Sequence, residues 1–304
     1  MKNSSKAGNL AAFILVLNML FSDIYAGPII SALPDNLLLV YTVNELLLFV
    51  PPVTVYFLLA RPDIKQTFSL KNLSAANIFL IVLISIMIQP FLMSVSAVSS
   101  LFFPNRASDF LQSMADVPAL STLIITSLMP AVFEEMYFRG IVFSNFKSMG
   151  AVKACVLGGL LFGMAHLNFQ QFSYAFIMGI IFCYFVYMTG SIFSSALSHF
   201  LINSIQTILS AFAMKALPAE QLQAQSQQVT FADIMPFIYF SVLSLIPLIG
   251  MFFVFHKYNT NSRNILVTPA ESAANDDLFK KDSFFNWPLL AFTAVFLYYG
   301  ISSM

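Results

Sequence analysis

The sequence contains very little charge. Only 9% of its 304 residues are charged, and the 14 acidic residues balance the 14 basic ones. A water-soluble domain carries about 25% charged residues, so this composition excludes a chain whose whole surface faces water. The net charge of zero gives no indication of nucleic acid binding.

Cysteine is also scarce. Cys155 and Cys183 are the two cysteines, and both lie in apolar runs. Their spacing fits neither a metal site nor a disulfide framework, so we expect them to be small buried side chains. The chain also shows no internal repeat, which argues against a transporter built from duplicated halves.

Long apolar runs, in contrast, fill the chain. Hydrophobic residues make up 59% of it, and the mean hydropathy is +0.82. A membrane-spanning helix needs about 20 mostly apolar residues. We therefore predict an all-α polytopic transmembrane bundle of about eight to nine spans, in the segments 9–30, 35–60, 75–103, 118–144, 150–166, 171–189, 191–212, 232–256 and 287–303.

The basic residues favour one orientation of these spans. With a cytoplasmic N-terminus, only Arg106 and Lys215 of the 14 Lys and Arg fall on the outer side, as the positive-inside rule requires. The absence of an organelle signal favours a bacterial plasma membrane. The polar stretch 257–286 is expected to be a cytoplasmic connection.

Polar residues within the apolar segments are unevenly distributed, and their distribution divides the chain into three parts. We expect N-terminal membrane helices over 1–117, a core that carries the chemistry over 118–212, and C-terminal membrane helices over 213–304. Charged side chains at bilayer depth cost at least ~2.5–3.5 kcal/mol each and usually have a function.

The fourth apolar segment carries two adjacent acids and a base. Glu135 and Arg139 are four residues apart and can pair on one helix face, which leaves Glu134 without a partner on its own helix. Pro130 removes a backbone hydrogen bond to Thr126 and can kink the helix near the acids. A structural Glu–Arg pair between helices is the alternative explanation.

The fifth and seventh segments carry two of the three histidines. His166 ends the fifth segment, and His199 shares one face of the seventh with Asn203. An interfacial histidine and an interhelical hydrogen bond are the simpler explanations for these residues. Glu45, in the second segment, is a further intramembrane acid with no motif around it.

Taken together, the motifs resemble those of the CPBP family, the CAAX proteases and bacteriocin-processing enzymes that are also called the Abi family. The three matching motifs, in order, are Glu134-Glu135-x-x-x-Arg139, Phe162-x-x-x-His166 and His199-x-x-x-Asn203. The resemblance covers roughly 118–212 and implies an intramembrane peptidase.

The resemblance implies a role for each matching residue. Glu134 would be the general base that activates water, assisted by His166, while His199 and Asn203 would stabilise the oxyanion of the tetrahedral intermediate. The supporting residues would be Glu135, Arg139 and Phe162. The substrate would be a membrane-associated or lipidated peptide or protein, with a prenylated protein and a bacteriocin or pheromone precursor as the two options.

Two other functions remain open from the sequence. A zinc peptidase would use Glu134, His166 and His199 as ligands, but the HExxH spacing is absent, so we expect no metal and no cofactor. A non-catalytic immunity or scaffold protein is the other alternative, and it would not need Glu134. In each case the lipid bilayer is a partner of the chain.

Overall fold

The computed structural model describes residues 4–216, 229–266 and 287–302, and all regular structure in these ranges is helical. The predicted all-α bundle is therefore confirmed. The helices are α1 (Ser4–Ser31), α2 (Leu37–Ala60), α3 (Ile64–Phe68), α4 (Ala75–Met87), α5 (Gln89–Ser100), α6 (Arg106–Ser113), α7 (Ala119–Phe146), α8 (Ala151–Ala165), α9 (Phe169–Thr189), α10 (Ile192–Ala216), α11 (Phe231–Leu266) and α12 (Trp287–Ser302).

The number of full-length spans is lower than the predicted eight to nine. Among the described residues, six helices are long and apolar enough to cross a membrane, or seven if the two parts of α1, bent by 49°, form one span. The α8 helix has only 15 residues, or about 22 Å, against a hydrocarbon core of ~30 Å. The apolar segment 150–166 predicted this helix, and its 17 residues were already fewer than the ~20 that a span needs.

The predicted cytoplasmic connection 257–286 is partly helical. The α11 helix continues to Leu266, and residues 267–286 lie outside the described part of the chain. Asn259 explains the continuation, because its side-chain amide exchanges hydrogen bonds of 3.0 and 2.8 Å with that of Asn77 on α4. This buried amide pair ties the polar end of α11 to the bundle.

The α7 helix, which carries the two acids, is irregular on both sides of them. It contains π-helical turns at Ile124–Leu128 and Met136–Val142, and the α-helical stretch Met129–Glu135 lies between them. A π turn inserts an extra residue, changes which side chains face the next helix and often occurs at a functional site. The irregularity lies where Pro130 predicted a disturbance, and it surrounds Glu134 and Glu135.

Glycines bring α8 and α9 into close contact. A Cβ atom on Gly159 would lie 2.9 Å from the Phe176 carbonyl oxygen, and one on Gly179 would lie 2.7 Å from the Gly159 Cα. Larger residues at either position would push the two backbones apart, as expected of a small-residue helix interface. This packing fixes the position of Phe162, which lies between Gly159 and Gly163 along α8.

Candidate active site

A buried ion pair links α7 to α10. The Oε1 atom of Glu135 accepts a hydrogen bond of 2.8 Å from Arg139 Nη1 and a second of 2.8 Å from His199 Nδ1. All three residues are buried, with exposures of 1%, 0% and 2%. Glu135 is therefore held by one partner on its own helix and another on α10, and the predicted pairing with Arg139 is present.

Aromatic rings complete the surroundings of Arg139. Its guanidinium carbon lies 4.2 Å from the centre of the Phe162 ring and 5.0 Å from that of Phe182. The face of an aromatic ring carries partial negative charge and attracts a cation placed over it, more strongly when water is excluded. The Nη2 atom also donates to the Gly179 carbonyl oxygen at 3.4 Å. Phe162 thus supports the ion pair, together with α9.

Glu134 has a different environment from its neighbour. Its Oε2 atom lies 3.9 Å from His199 Nε2, beyond hydrogen-bond distance. That oxygen is buried and has no hydrogen-bond partner among the described residues. Arg139 is occupied by Glu135, so the two adjacent acids are divided between a paired carboxylate and one that faces open space.

Each of the two histidine rings is oriented by the atom that its Nδ1 contacts. His166 Nδ1 lies 2.9 Å from the Phe162 carbonyl oxygen, and a carbonyl oxygen only accepts, so this nitrogen carries a proton. In the neutral ring, His166 Nε2 is then free to accept. His199 Nδ1 donates to Glu135 in the same way, so its Nε2 can donate only when the ring carries a second proton.

Asn203 is positioned by the irregular part of α7. Its Nδ2 atom donates to the Thr126 carbonyl oxygen at 3.0 Å. In a regular α-helix that carbonyl would accept from the backbone of residue 130, which is proline and has no N–H. Pro130 therefore creates an acceptor that orients Asn203, and the second N–H of the amide remains available.

The four residues predicted as catalytic line a single cavity of about 300 Å³, whose walls come from α2, α6, α7, α8, α9 and α10. The residues that meet there are Glu134, His166, His199 and Asn203. A second, apolar cavity of about 50 Å³, lined by Leu15, Met19, Leu48, Phe49, Phe138 and Ala165, also reaches Glu134 and His166. These two residues thus lie where a polar space and an apolar space meet.

Sequence reasoning missed several cavity residues. Tyr41 and Asn44 line it from α2, and Gln171 and Tyr174 line it from α9. Their only sequence signal is a polar side chain at helical spacing in an apolar run. Phe182, which stacks on the His199 ring at 5.0 Å between centroids, was indistinguishable from the other phenylalanines. Glu45 was noticed as an intramembrane acid but not linked to the motifs.

The acids and histidines of the cavity are also the residue types that bind metal ions. Within the described residues, no group of three or more His, Cys, Asp and Glu side chains is arranged to hold a metal ion. A catalytic zinc site needs three such ligands at about 2.0–2.2 Å from one point. The described residues do not form that set.

Several helices are long and apolar enough to cross a membrane, and they surround a cavity lined by polar residues. These are the features of an integral membrane protein with an enzyme-like site. Residues 116–205 match the family model described as Type II CAAX prenyl endopeptidase Rce1-like. The match confirms the resemblance to the CAAX proteases, contains all three motifs and supports an endopeptidase of the CAAX type. It leaves α1 to α6, α11 and α12 outside. Comparison with curated proteins and with solved structures gives no match.

Proposed function

We propose that this chain is an intramembrane endopeptidase in which Glu134 activates a water molecule against a peptide bond. The observation that carries the proposal is the difference between the surroundings of the two adjacent acids, Glu134 and Glu135. Glu135 binds Arg139 and His199 at 2.8 Å and is absent from the cavity lining, while Glu134 lines the cavity and its Oε2 atom has no hydrogen-bond partner among the described residues. A base must be free to take a proton, and of these two adjacent acids Glu134 is the one that neither Arg139 nor a hydrogen bond from His199 occupies.

The proposed first step is the attack of water on the carbonyl carbon. Glu134 takes one proton as the water oxygen forms its bond to carbon, and His166 Nε2 accepts a hydrogen bond from the same water and orients it. The carbonyl π electrons move to oxygen and give a tetrahedral oxyanion. Glu134 then returns the proton to the leaving nitrogen as the carbon–nitrogen bond breaks.

The proposed oxyanion donors are His199 Nε2 and the second N–H of Asn203. Because His199 Nδ1 already donates to Glu135, donation from Nε2 requires an imidazolium. Donors that are fixed in advance in a water-poor site stabilise developing negative charge strongly.

The proposed substrate is a membrane-associated or lipidated protein or peptide. The description of the matching family names prenyl endopeptidases, which favours a prenylated substrate over a bacteriocin or pheromone precursor. The cavity of about 300 Å³ is at the lower end of the size range of ligand sites, so it accommodates a short peptide segment. We propose further that the N-terminus faces the cytoplasm, as the basic residues indicate.

Cleavage by the purified full-length chain tests the proposal. Reconstituted in liposomes with a library of acetylated, membrane-anchored peptides, both farnesylated and unmodified, the chain is expected to give products detectable by mass spectrometry. A strong chelator should leave the rate unchanged, because the mechanism assigns no step to a metal. Loss of activity in the chelator and recovery with zinc would instead support the zinc peptidase, and absence of any product would overturn the proposal.

Replacing Asn203 with alanine should slow cleavage without unfolding the chain. Loss of one oxyanion donor costs about 2.7–4 kcal/mol in the barrier, so kcat should fall by roughly 10²–10³-fold with little change in KM. Asn259→Ala is the matched control, because it removes an interhelical amide pair whose two residues do not line the cavity, so it should lower stability but not the rate per folded molecule. Equal rates for the two variants would contradict the assigned role of Asn203.

A further inference from the structure

Glu45 is an intramembrane acid that the proposed mechanism does not use. It lies on α2, and together with Tyr41 and Asn44 it forms the α2 wall of the cavity that holds Glu134. Its Oε2 atom is buried and has no hydrogen-bond partner among the described residues. The α2 helix lies outside residues 116–205, so the family match does not account for this carboxylate.

No cation of the chain neutralises Glu45 in the described structure. Glu45 is not a member of the ion pairs found around Glu134 and Glu135 in the described residues, and the cavity lining contains no Lys or Arg. Arg139, which lies beside the cavity residue Phe162, is bound to Glu135 and enclosed by two aromatic rings. A carboxylate at bilayer depth is rarely kept without a partner or a function.

From this placement, and resting on the proposed function, we infer that Glu45 binds a positively charged group of the substrate close to the scissile bond. An ionised carboxylate only accepts hydrogen bonds, and its strongest partners are ammonium and guanidinium groups. Glu45 and Glu134 line the same cavity of about 300 Å³, so the charged group lies within a few residues of the bond that is cut. A basic side chain and a free N-terminal ammonium present the same chemistry.

Binding of matched peptides tests this inference separately from catalysis. The probes are fluorescent membrane-anchored peptides with lysine or uncharged norleucine at each position flanking the cleavage site, each with a free or an acetylated N-terminus. Affinity is measured on the full chain in liposomes, with Glu134→Gln to prevent turnover. The lysine peptide, or the free-amine peptide, is expected to bind about 10- to 100-fold more tightly than its neutral partner.

The variant Glu45→Gln, which keeps the side-chain volume, should abolish this preference. Its affinity for the norleucine, acetylated peptide should stay at the wild-type value, which also shows that the variant is folded. Asp35→Asn, which removes an exposed carboxylate, is the matched control and should retain the preference. The position or terminus at which the preference appears identifies the basic side chain or the N-terminal amine as its source.

Two results would overturn the inference. If the charged and neutral peptides bind with equal affinity to a chain that still cleaves them, the proposed cation site is contradicted and the proposed peptidase function is not. A Glu45→Gln variant that binds both peptides normally but has a lower kcat for both would make Glu45 part of proton transfer. In contrast, a lysine preference that depends on Glu45 in a wild-type chain that cleaves nothing would support the cation site and overturn the peptidase.

Discussion

Replacing Glu134 with glutamine is expected to reduce peptide cleavage by ~10²–10⁴-fold or more. The amide keeps the volume of the side chain but does not accept a proton from water. The loss should appear in kcat, with KM for the membrane-anchored peptide nearly unchanged, because Glu134 acts on the water. The variant should fold normally, because the ion pair that Glu134 forms with His199 Nε2, at 3.9 Å, lies beyond hydrogen-bond distance and contributes little. Cleavage is measured in liposomes at equal amounts of folded protein.

The control for this variant is Asp35→Asn, which removes a carboxylate from an exposed site outside the cavity. It should cleave at the wild-type rate. If Glu134→Gln also cleaves at that rate, then neither the metal-free mechanism nor a zinc mechanism with Glu134 as a ligand holds. A binding or scaffolding role would then account better for the buried polar residues.

Composition and the lengths of the apolar segments were enough to predict the helical fold class and the positions of the helices. Apolar runs located the helices because lipid-facing and buried residues are both apolar. They also indicated that the segment of α8 is short, but they did not show that α11 continues through Asn259 to Leu266, or that α7 contains two π turns. These features depend on contacts between helices, such as the Asn77–Asn259 amide pair, which no local pattern contains.

The site was predictable where its residues share one helix. The spacing of Glu135 and Arg139 predicted their ion pair, and the spacing of His199 and Asn203 placed both residues on one face of α10. Partners on other helices were not predictable. Nothing in the sequence shows that Glu135 binds His199, that Asn203 binds the Thr126 carbonyl or that Phe162 covers Arg139. Glu45 is the clearest case, because its significance comes only from the cavity it shares with Glu134.

Replacing Arg139 with alanine is expected to destabilise the chain by about 3–5 kcal/mol, because the change leaves Glu135 as a buried charge without its cation. The arginine is fully buried, donates to Glu135 at 2.8 Å and to the Gly179 carbonyl oxygen, and fills the space between Phe162 and Phe182. Denaturant titration in mixed micelles measures the free energy of unfolding. Lys215→Ala, at an exposed helix end, should change it by less than about 1 kcal/mol.

A double variant separates lost charge balance from lost packing. Glu135→Gln with Arg139→Met removes both charges, keeps an acceptor for His199 Nδ1 and fills the space near the two phenylalanines. Replacement of a buried ion pair by groups of similar volume is often neutral or stabilising, so the double variant should recover most of the stability that Arg139→Ala loses. Its cleavage should remain low, because a neutral amide in place of the Glu135 carboxylate no longer favours the His199 imidazolium that the oxyanion requires. Full activity in the stable double variant would show that the Glu135–Arg139 pair serves folding alone, and that His199 does not need its second proton.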